Sequence, residues 1–108
     1  MPAISSSLQA NVNATIQGVT TPLNATLTLT TANTEYSHAF AANTKRFLIH
    51  NRSAGLIKLA YTSTESGSNF LSIYPGTMYT EGQISAGSLT IYMQSPTASK
   101  VVEIVSWV

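Results

Sequence analysis

The sequence predicts an all-β protein: a single antiparallel β-sandwich, jelly-roll-like or Ig-like, with an extended N-terminal arm. Three observations predict it. Apolar and polar residues alternate with a period of two along most of the chain, as they do in strands with one face on a core. Clusters of Gly, Pro, Ser, Thr and Asn separate these runs at short intervals, which is typical of a sandwich or barrel. No stretch offers an apolar face with helical spacing and useful length.

Five alternating runs predict the first strands. In "NATLTLTT", Leu27 and Leu29 share one face and threonines occupy the other. In "KRFLIHN", Phe47 and Ile49 share a face. The other three runs are "GLIKLAYTS", "NFLSIYPG" and "SLTIYMQS", and the second of these ends at a Pro-Gly turn. Residues 24–31, 45–51, 55–63, 69–76 and 88–95 are therefore predicted to contain strands.

The last ten residues, "SKVVEIVSWV", predict a strand that is apolar on both faces. Val101, Val105 and Trp107 share one face with Glu103, while the opposite face carries Val102, Ile104, Ser106 and Val108. Such a strand is either central in a sandwich, with its second face covered by another layer, or part of an interface. We expect it to form a hairpin with 88–95 through the loop at Pro96, which leaves its other edge in need of a partner.

The chain divides into an N-terminal arm, residues 1–12, and a β-sandwich domain, residues 13–108. The first dozen residues carry no charge and mostly small side chains, so they either fray or order against another subunit. If they order, Ile4 and Leu8 are the expected contacts. The start lacks the basic and apolar regions of a signal peptide. No apolar run approaches the ~18 residues of a membrane helix, so no membrane partner is expected.

The chain has very few charges for its size. Charged residues make up 8% of it, against about 25% in ordinary soluble domains. The net charge is +1, and a net charge near zero promotes association. Thr, Ser and Asn side chains could keep such a domain soluble by themselves. The composition nevertheless favours a subunit whose surface is largely covered by neighbouring subunits. The expected interface residues in the sandwich are Tyr92, Val105 and Trp107.

No constellation for catalysis or metal binding is present in the sequence. Without Cys there are no disulfides or thiolate metal sites. Without Asp there is no Ser–His–Asp triad, and His38 and His50 each lie in a strand pattern, so both are expected to be structural. The glycines fall in turns rather than in a phosphate-binding loop. The sequence therefore predicts no catalytic, cofactor-binding or metal-binding residue, and no enzyme.

Nucleic-acid binding and sugar binding are two alternatives to a role of the basic and aromatic side chains in core or interface packing. The cations Lys45, Arg46, Arg52 and Lys58 form a weak cluster on a nearly neutral domain, which argues against nucleic-acid binding. Aromatic rings on a β scaffold could instead stack on sugars, so a carbohydrate-binding or host-recognition module stays open as an alternative. The rings in question are those of Tyr36, Tyr61, Tyr74, Tyr79, Tyr92 and Trp107.

The C-terminal part of the chain resembles the small β-sandwich structural proteins of tailed-bacteriophage virions. The shared elements are an "I-x-N" strand end, a "G-x-I-K-L-A-Y" strand, an "L-x-I-x-P-G" turn, an "L-x-I-Y-M-Q-S" strand and a closing "V-V-E-I" strand. In this sequence they begin at Ile49, Gly55, Leu71, Leu89 and Val101. The resemblance does not extend to the N-terminal third.

This resemblance implies a virion location and protein partners. Proteins of this type decorate or cement the capsid shell, or lie at necks and tails. The implied partners are further copies of the chain, with a homotrimer favoured, and the major capsid protein or another virion protein. The implied location is the capsid surface. The resemblance transfers no catalytic residue.

Overall fold

The computed structural model describes residues 21–84 and 87–108, and within them the protein is all-β. Eight strands form two four-stranded antiparallel sheets, with the orders β1-β8-β3-β6 and β2-β7-β4-β5. The predicted arm, with Ile4 and Leu8, lies outside the described residues. The strands are β1 (Pro22–Leu29), β2 (Tyr36–Ala39), β3 (Arg46–Asn51), β4 (Ile57–Ala60), β5 (Leu71–Ile73), β6 (Met78–Glu81), β7 (Thr90–Gln94) and β8 (Lys100–Trp107).

The strand pairing is nested, which makes the sandwich a jelly roll rather than an Ig-like fold. The first strand pairs with the eighth, the second with the seventh, the third with the sixth and the fourth with the fifth. This is the pattern of one long hairpin rolled up into two sheets. The predicted antiparallel sandwich is thus confirmed, and the jelly roll is the correct one of the two predicted forms.

The predicted hairpin between 88–95 and the last strand is wrong. Strand β7 pairs with β2 and β4 in one sheet, whereas β8 lies between β1 and β3 in the other. The connection after Ser95 therefore crosses the sandwich instead of reversing within one sheet. This arrangement puts Ile91 and Met93 across the core from Val102 and Ile104, and all four are fully buried or nearly so.

The core between the sheets is a continuous apolar cluster with contributions from seven of the eight strands or their ends. At one place it is aromatic: the rings of Phe40 and Phe47 stack with their centroids 4.6 Å apart, and Tyr79 packs 6.0 Å from Phe47. Aromatic and branched side chains thus fill the interior of the roll. The buried cluster consists of Leu29, Phe40, Phe47, Ile49, Ile57, Leu59, Ile73, Ile91, Met93, Val102 and Ile104.

A tight turn joins β5 to β6. Pro75 and Gly76 occupy its two central positions, and Thr77 N–H donates to Tyr74 O at 3.1 Å. Gly76 has a φ of 75°, the left-handed value that the third residue of a type II turn requires. Its N–H also donates to Asn51 O at 2.9 Å, so the turn is anchored to the end of β3. The "PG" signal in the sequence correctly marked this reversal.

In the part of the chain that the structure describes, no helix has the length and apolar character to cross a membrane.

Candidate protein-interaction surface

The outward side of the β1-β8-β3-β6 sheet, called the outer face below, is the candidate interaction surface. Residues on this side alternate along each strand with those that enter the core, so its composition follows from the period of two. Here the alternation does not give a polar surface, because apolar side chains occupy its middle. The outer face consists of Asn24, Thr26, Arg46, Leu48, His50, Met78, Thr80, Val101, Glu103, Val105 and Trp107.

Leu48 and Val105 form the centre of the outer face. They are directly opposite each other on β3 and β8, and both are only partly buried. Met78, on the neighbouring edge strand β6, leaves 64% of its surface exposed. These side chains line a shallow open groove of about 480 Å³, together with Asn24 and Thr26 of β1. The groove thus has apolar walls and a polar rim.

An ion-pair network lies at one end of this groove. His50 Nδ1 is 2.8 Å from Glu103 Oε1, and Arg52 Nη1 is 3.3 Å from Glu103 Oε2. The hydrogen bond from His50 lowers the pKa of Glu103, and the positive charge of Arg52 lowers it further, against a smaller opposing effect of burial. Glu103 is therefore ionised and already paired, so this end of the groove does not need an ionic partner.

Trp107 lies at the other end of the outer face, beneath a cation. The guanidinium carbon of Arg46 is 4.6 Å from the centre of the Trp107 ring, within cation–π range. The Nε atom of Arg46 is buried and has no hydrogen-bond partner within residues 21–84 and 87–108. Pro22, at the start of β1, is the register partner of Trp107 on its other side. The chain therefore enters the sheet next to this residue.

The predicted interface residues do not form one surface. Val105 and Trp107 are both on the outer face, as their spacing of two requires. Tyr92 lies on the outward side of the other sheet, where its register partners are Ser37 and Ala60. A partner that covers Val105 and Trp107 would thus not reach Tyr92 on the same subunit. The interface roles of all three stay predictions.

His38 points into the core. Its ring contacts that of Phe40 edge-on, with the centroids 4.8 Å apart, and burial lowers its pKa. It is therefore a neutral packing residue near pH 7. His50 differs from what its sequence neighbourhood suggests, because Glu103 is adjacent in space although 53 residues away in sequence. No local signal could have identified this pair; only the register of β3 against β8 creates it.

The basic residues are dispersed rather than gathered into a patch. Arg46 lies over Trp107, Arg52 binds Glu103, and Lys58 lies over the ring of Phe70 at 4.8 Å on the other sheet. A phosphate backbone is bound by cations that are free to approach it along one surface. This distribution gives no support to nucleic-acid binding.

A second polar cluster lies beside β6. The hydroxyls of Tyr61 and Tyr79 are 2.8 Å apart, and Tyr79 donates to Glu81 Oε2 at 3.0 Å. Burial raises the pKa of both phenols; the bond to Tyr79 raises that of Tyr61 further, and the nearby Glu81 raises that of Tyr79. Neither phenol is activated as a base or nucleophile. Among the described residues, no group of three His, Asp or Glu side chains lies close enough to hold a metal ion.

Comparison with known proteins assigns a fold. No protein-family model matches the chain, and no curated protein sequence does. Among solved structures, a de novo designed double-stranded β-helix matches 82% of this chain and 100% of its own, with a TM-score of 0.51 and 16% identity. The double-stranded β-helix is another description of the jelly roll, so this likeness agrees with the strand order.

Two further solved structures resemble the chain more weakly. A cupin-2 domain containing protein from Shewanella frigidimarina NCIMB 400 matches 78% of this chain and 68% of its own, with a TM-score of 0.47 and 11% identity. A protein of Bacillus endospore appendages, which form disulfide-linked pili, matches 81% of this chain and 86% of its own, with a TM-score of 0.44 and 10% identity. The assignment of the chain as a small jelly-roll protein rests instead on its strand order and on the designed double-stranded β-helix.

Proposed function

We propose that this protein is a non-enzymatic structural subunit of a bacteriophage virion, located on the capsid surface. In this proposal it decorates or cements the shell by binding further copies of itself and the major capsid protein. One observation carries the proposal: the centre of the outer face is apolar where an exposed sheet is normally polar. The sequence resemblance to virion β-sandwich proteins supplies the setting.

The apolar outer face favours contact with protein. Antiparallel sheets that face water on one side alternate apolar-in and polar-out. Here Leu48, Val105 and Met78 break that pattern, and Trp107 extends the apolar area to the end of β8. Covering apolar surface contributes about 25 cal/mol per Å². Contacts of modest area become firm when they repeat over a lattice, because each one raises the effective concentration for the next.

The charges on this face are compatible with a covered site. Glu103 is paired with both His50 and Arg52, so a partner would not have to supply a counter-ion. Burying an unpaired charge is costly, whereas a charge that already has hydrogen-bonded partners can be covered at much lower cost. The three residues thus form a self-contained rim beside the apolar centre.

The same three residues support a structural role better than a catalytic one. A His–Glu pair becomes a general base when the other imidazole nitrogen contacts a nucleophile or substrate. Within the described residues, His50 has its one side-chain hydrogen bond to Glu103. The pair also lies on an open sheet face, where water is not excluded.

A carbohydrate-binding or host-recognition module is the second candidate, and a specific observation favours it. Tyr61, Phe70 and Tyr74 are exposed at the ends of the paired strands β4 and β5. Exposed rings of this kind can stack on sugars. This candidate predicts glycan binding that is lost in Tyr74→Ala, measured on a glycan array, while Val105→Lys leaves it unchanged.

Sedimentation tests the proposed function. The wild-type chain is expected at a multiple of its 11.5 kDa mass, with a trimer favoured, and is expected to pellet with capsids. Val105→Lys places a charge in the middle of the outer face and should lower the oligomer mass and the fraction that pellets. Ser37→Lys, on the exposed side of the other sheet, is the matched control and should change neither quantity.

Both variants are expected to remain folded, since neither position is in the core. Unfolding curves of the two variants check this. A wild-type chain that is monomeric and stays in the supernatant while capsids pellet contradicts the proposed function.

A further inference from the structure

Strand β1 differs from the other edge strands in its length. The four strands at sheet edges are β1, β2, β5 and β6. Three of them have four residues or fewer, whereas β1 has eight. Short edge strands protect a sheet against pairing with another chain, and a long one invites it. Among residues 21–84 and 87–108, only β8 pairs with β1, and none of these residues forms a strand on the far side of β1.

The hydrogen bond at the start of β1 identifies the groups on this free edge. Val108 N–H donates to Thr21 O at 3.1 Å, so the backbone groups of odd-numbered β1 residues point toward β8. In an antiparallel pair the groups of the alternate residues point away. The free edge therefore presents the N–H groups of Asn24, Thr26 and Thr28 and their carbonyl oxygens. Pro22, which has no N–H, occupies the next such position.

Beyond Pro22 at its first position, the free edge has none of the usual protection. No residue before Glu35 is charged, so β1 carries no Lys, Arg or Glu. The register with β8 is continuous over all eight residues, without a bulge that would twist the edge away. Charge, bulges and brevity are the devices that prevent edge pairing, and β1 lacks all three. This strand is thus built to accept a further strand.

The segment before β1 has the sequence pattern of such a strand. Residues 8–17, "LQANVNATIQ", alternate strictly between apolar and polar, across the predicted boundary at residue 12. A ten-residue run with this period is typical of a half-buried strand, and its length of ~33 Å exceeds that of β1. It carries no charge. The apolar positions are Leu8, Ala10, Val12, Ala14 and Ile16.

We infer that residues 8–17 of one copy pair with the free edge of β1 in a neighbouring copy and add a fifth strand to the β1-β8-β3-β6 sheet. This inference rests on the self-association in the proposed function and adds a main-chain contact at the β1 edge to the apolar contact of the outer face. Main-chain hydrogen bonds supply affinity in strand addition, and the alternating side chains supply specificity. Because the donated strand and the accepting edge are different surfaces, the contact is head-to-tail, the type that gives a ring when the rotation between neighbours closes.

The shape of the sandwich at this edge favours a neighbouring copy over the chain's own segment. Leu23 lies on the inward side of β1, opposite Ser106, yet 41% of it is exposed. The inward side of β1 is thus uncovered at Leu23, and β2, the edge strand that precedes β7 in the other sheet, has only four residues. If the same chain added a strand to the β1 edge, its five apolar side chains would extend past the edge of the β2-β7-β4-β5 sheet, where no part of that sheet could cover them. A neighbouring subunit supplies the surface that covers them.

Engineered disulfides test the inference, since the natural chain contains no cysteine. Asn13→Cys is introduced in one preparation and Thr26→Cys in another, and the two are mixed under mild oxidation. A disulfide requires Cα atoms within about 7 Å, which paired strands provide. The expected product is a covalent dimer containing one chain of each kind. Asn11→Cys and Thr15→Cys, each mixed with Thr26→Cys, cover the neighbouring registers.

Ser37→Cys, on the exposed side of β2, replaces Thr26→Cys in the control mixture and should give no specific dimer. The inference is overturned if the Asn13, Thr26 double variant forms its disulfide only within one chain, because that outcome places the segment on its own β1. It is also overturned if no position cross-links while the chain still sediments as an oligomer. In that case self-association holds through other contacts. A monomeric, uncross-linked chain contradicts both proposals.

Discussion

Asn51 is the most heavily engaged polar side chain in the interior. It is fully buried at the end of β3. Its Nδ2 donates to Gly55 O at 2.8 Å and to Ile73 O at 2.9 Å, and its Oδ1 accepts from Ser53 N–H at 3.1 Å. The side chain thus joins the end of β3 to the following loop and to β5. A buried amide is stable there because each of these bonds replaces one with water.

Asn51→Ala is expected to lower the free energy of unfolding by about 2 kcal/mol or more. It leaves two carbonyl oxygens and one N–H without their partner, and an unsatisfied buried group costs about 1–3 kcal/mol. Urea denaturation measures the loss. Asn24→Ala, at an exposed position of β1, is the control and should change stability by less than about 0.5 kcal/mol. Equal effects of the two substitutions would contradict this role of Asn51.

Glu103 should make stability depend on acid pH. Its folded-state pKa lies below the ordinary value for a glutamate, chiefly because of the His50 hydrogen bond and also because of the Arg52 charge. A carboxylate with a lowered pKa contributes stability above its unfolded pKa, and the contribution disappears as pH falls through the folded value. Wild type should therefore be more stable than Glu103→Gln near pH 6, and the difference should shrink progressively as the pH falls through this lowered pKa.

Unfolding curves recorded from pH 7 to pH 3 measure this difference. Glu65→Gln is the control, since no ion pair of the described residues involves Glu65. A gap between wild type and Glu103→Gln that stays constant over the whole pH range would show that the ion pair is not the cause.

At the scale of strands, the alternation of apolar and polar residues predicted those strands that place a row of apolar side chains in the core. The runs at 24–31, 45–51, 55–63, 69–76, 88–95 and 99–108 correspond to β1, β3, β4, β5, β7 and β8. Strands β2 and β6 were not predicted. Each has four residues, and the inward row of β6 consists of Tyr79 and Glu81, of which only Tyr79 packs on the core. Alternation of hydrophobicity cannot mark such a strand.

The partner of each strand was less predictable than its position. The last strand reads as apolar on both faces, and it is central in its sheet, although no layer formed by the described residues covers its outward face. Its neighbours are β1 and β3 rather than β7, which precedes it in the chain. Local signals at Pro96 indicate that the chain reverses, but they do not specify whether it reverses within a sheet or between two sheets. Whether the chain reverses within one sheet or crosses to the other depends on how all the strands together bury their inward-facing apolar side chains.

For the candidate surface too, the positions along one strand were predictable from the sequence, whereas the contacts between strands were not. The spacing of Val105 and Trp107 places them on one face, as found. Tyr92 was grouped with them by residue type, and the sheet order separates it. Leu48 and Met78 join the surface only through the register of β3 with β8 and β6. Long-range register is the information that a single sequence does not display.

For the whole molecule, the nested topology predicts slow folding. The pairing of β1 with β8 joins residues such as Ala25 and Ile104, which are far apart in sequence. Folding rates fall as contacts become less local, because loop-closure entropy is lost before those contacts form. Refolding from urea is expected on the timescale of milliseconds to seconds that is typical of all-β sandwiches. Stopped-flow Trp107 fluorescence measures it, and refolding in microseconds would contradict the expectation.

The bond between Val108 N–H and Thr21 O places both ends of the sandwich at one corner. A peptide attached beyond Val108 would thus leave the molecule beside the segment that precedes Thr21. A bulky attachment at that position would crowd the start of β1 at Thr21 and Pro22. A label placed there would instead report on whatever surrounds that segment. An attachment at this corner would therefore disturb the start of β1, and a label at the same place would report on the surroundings of that strand.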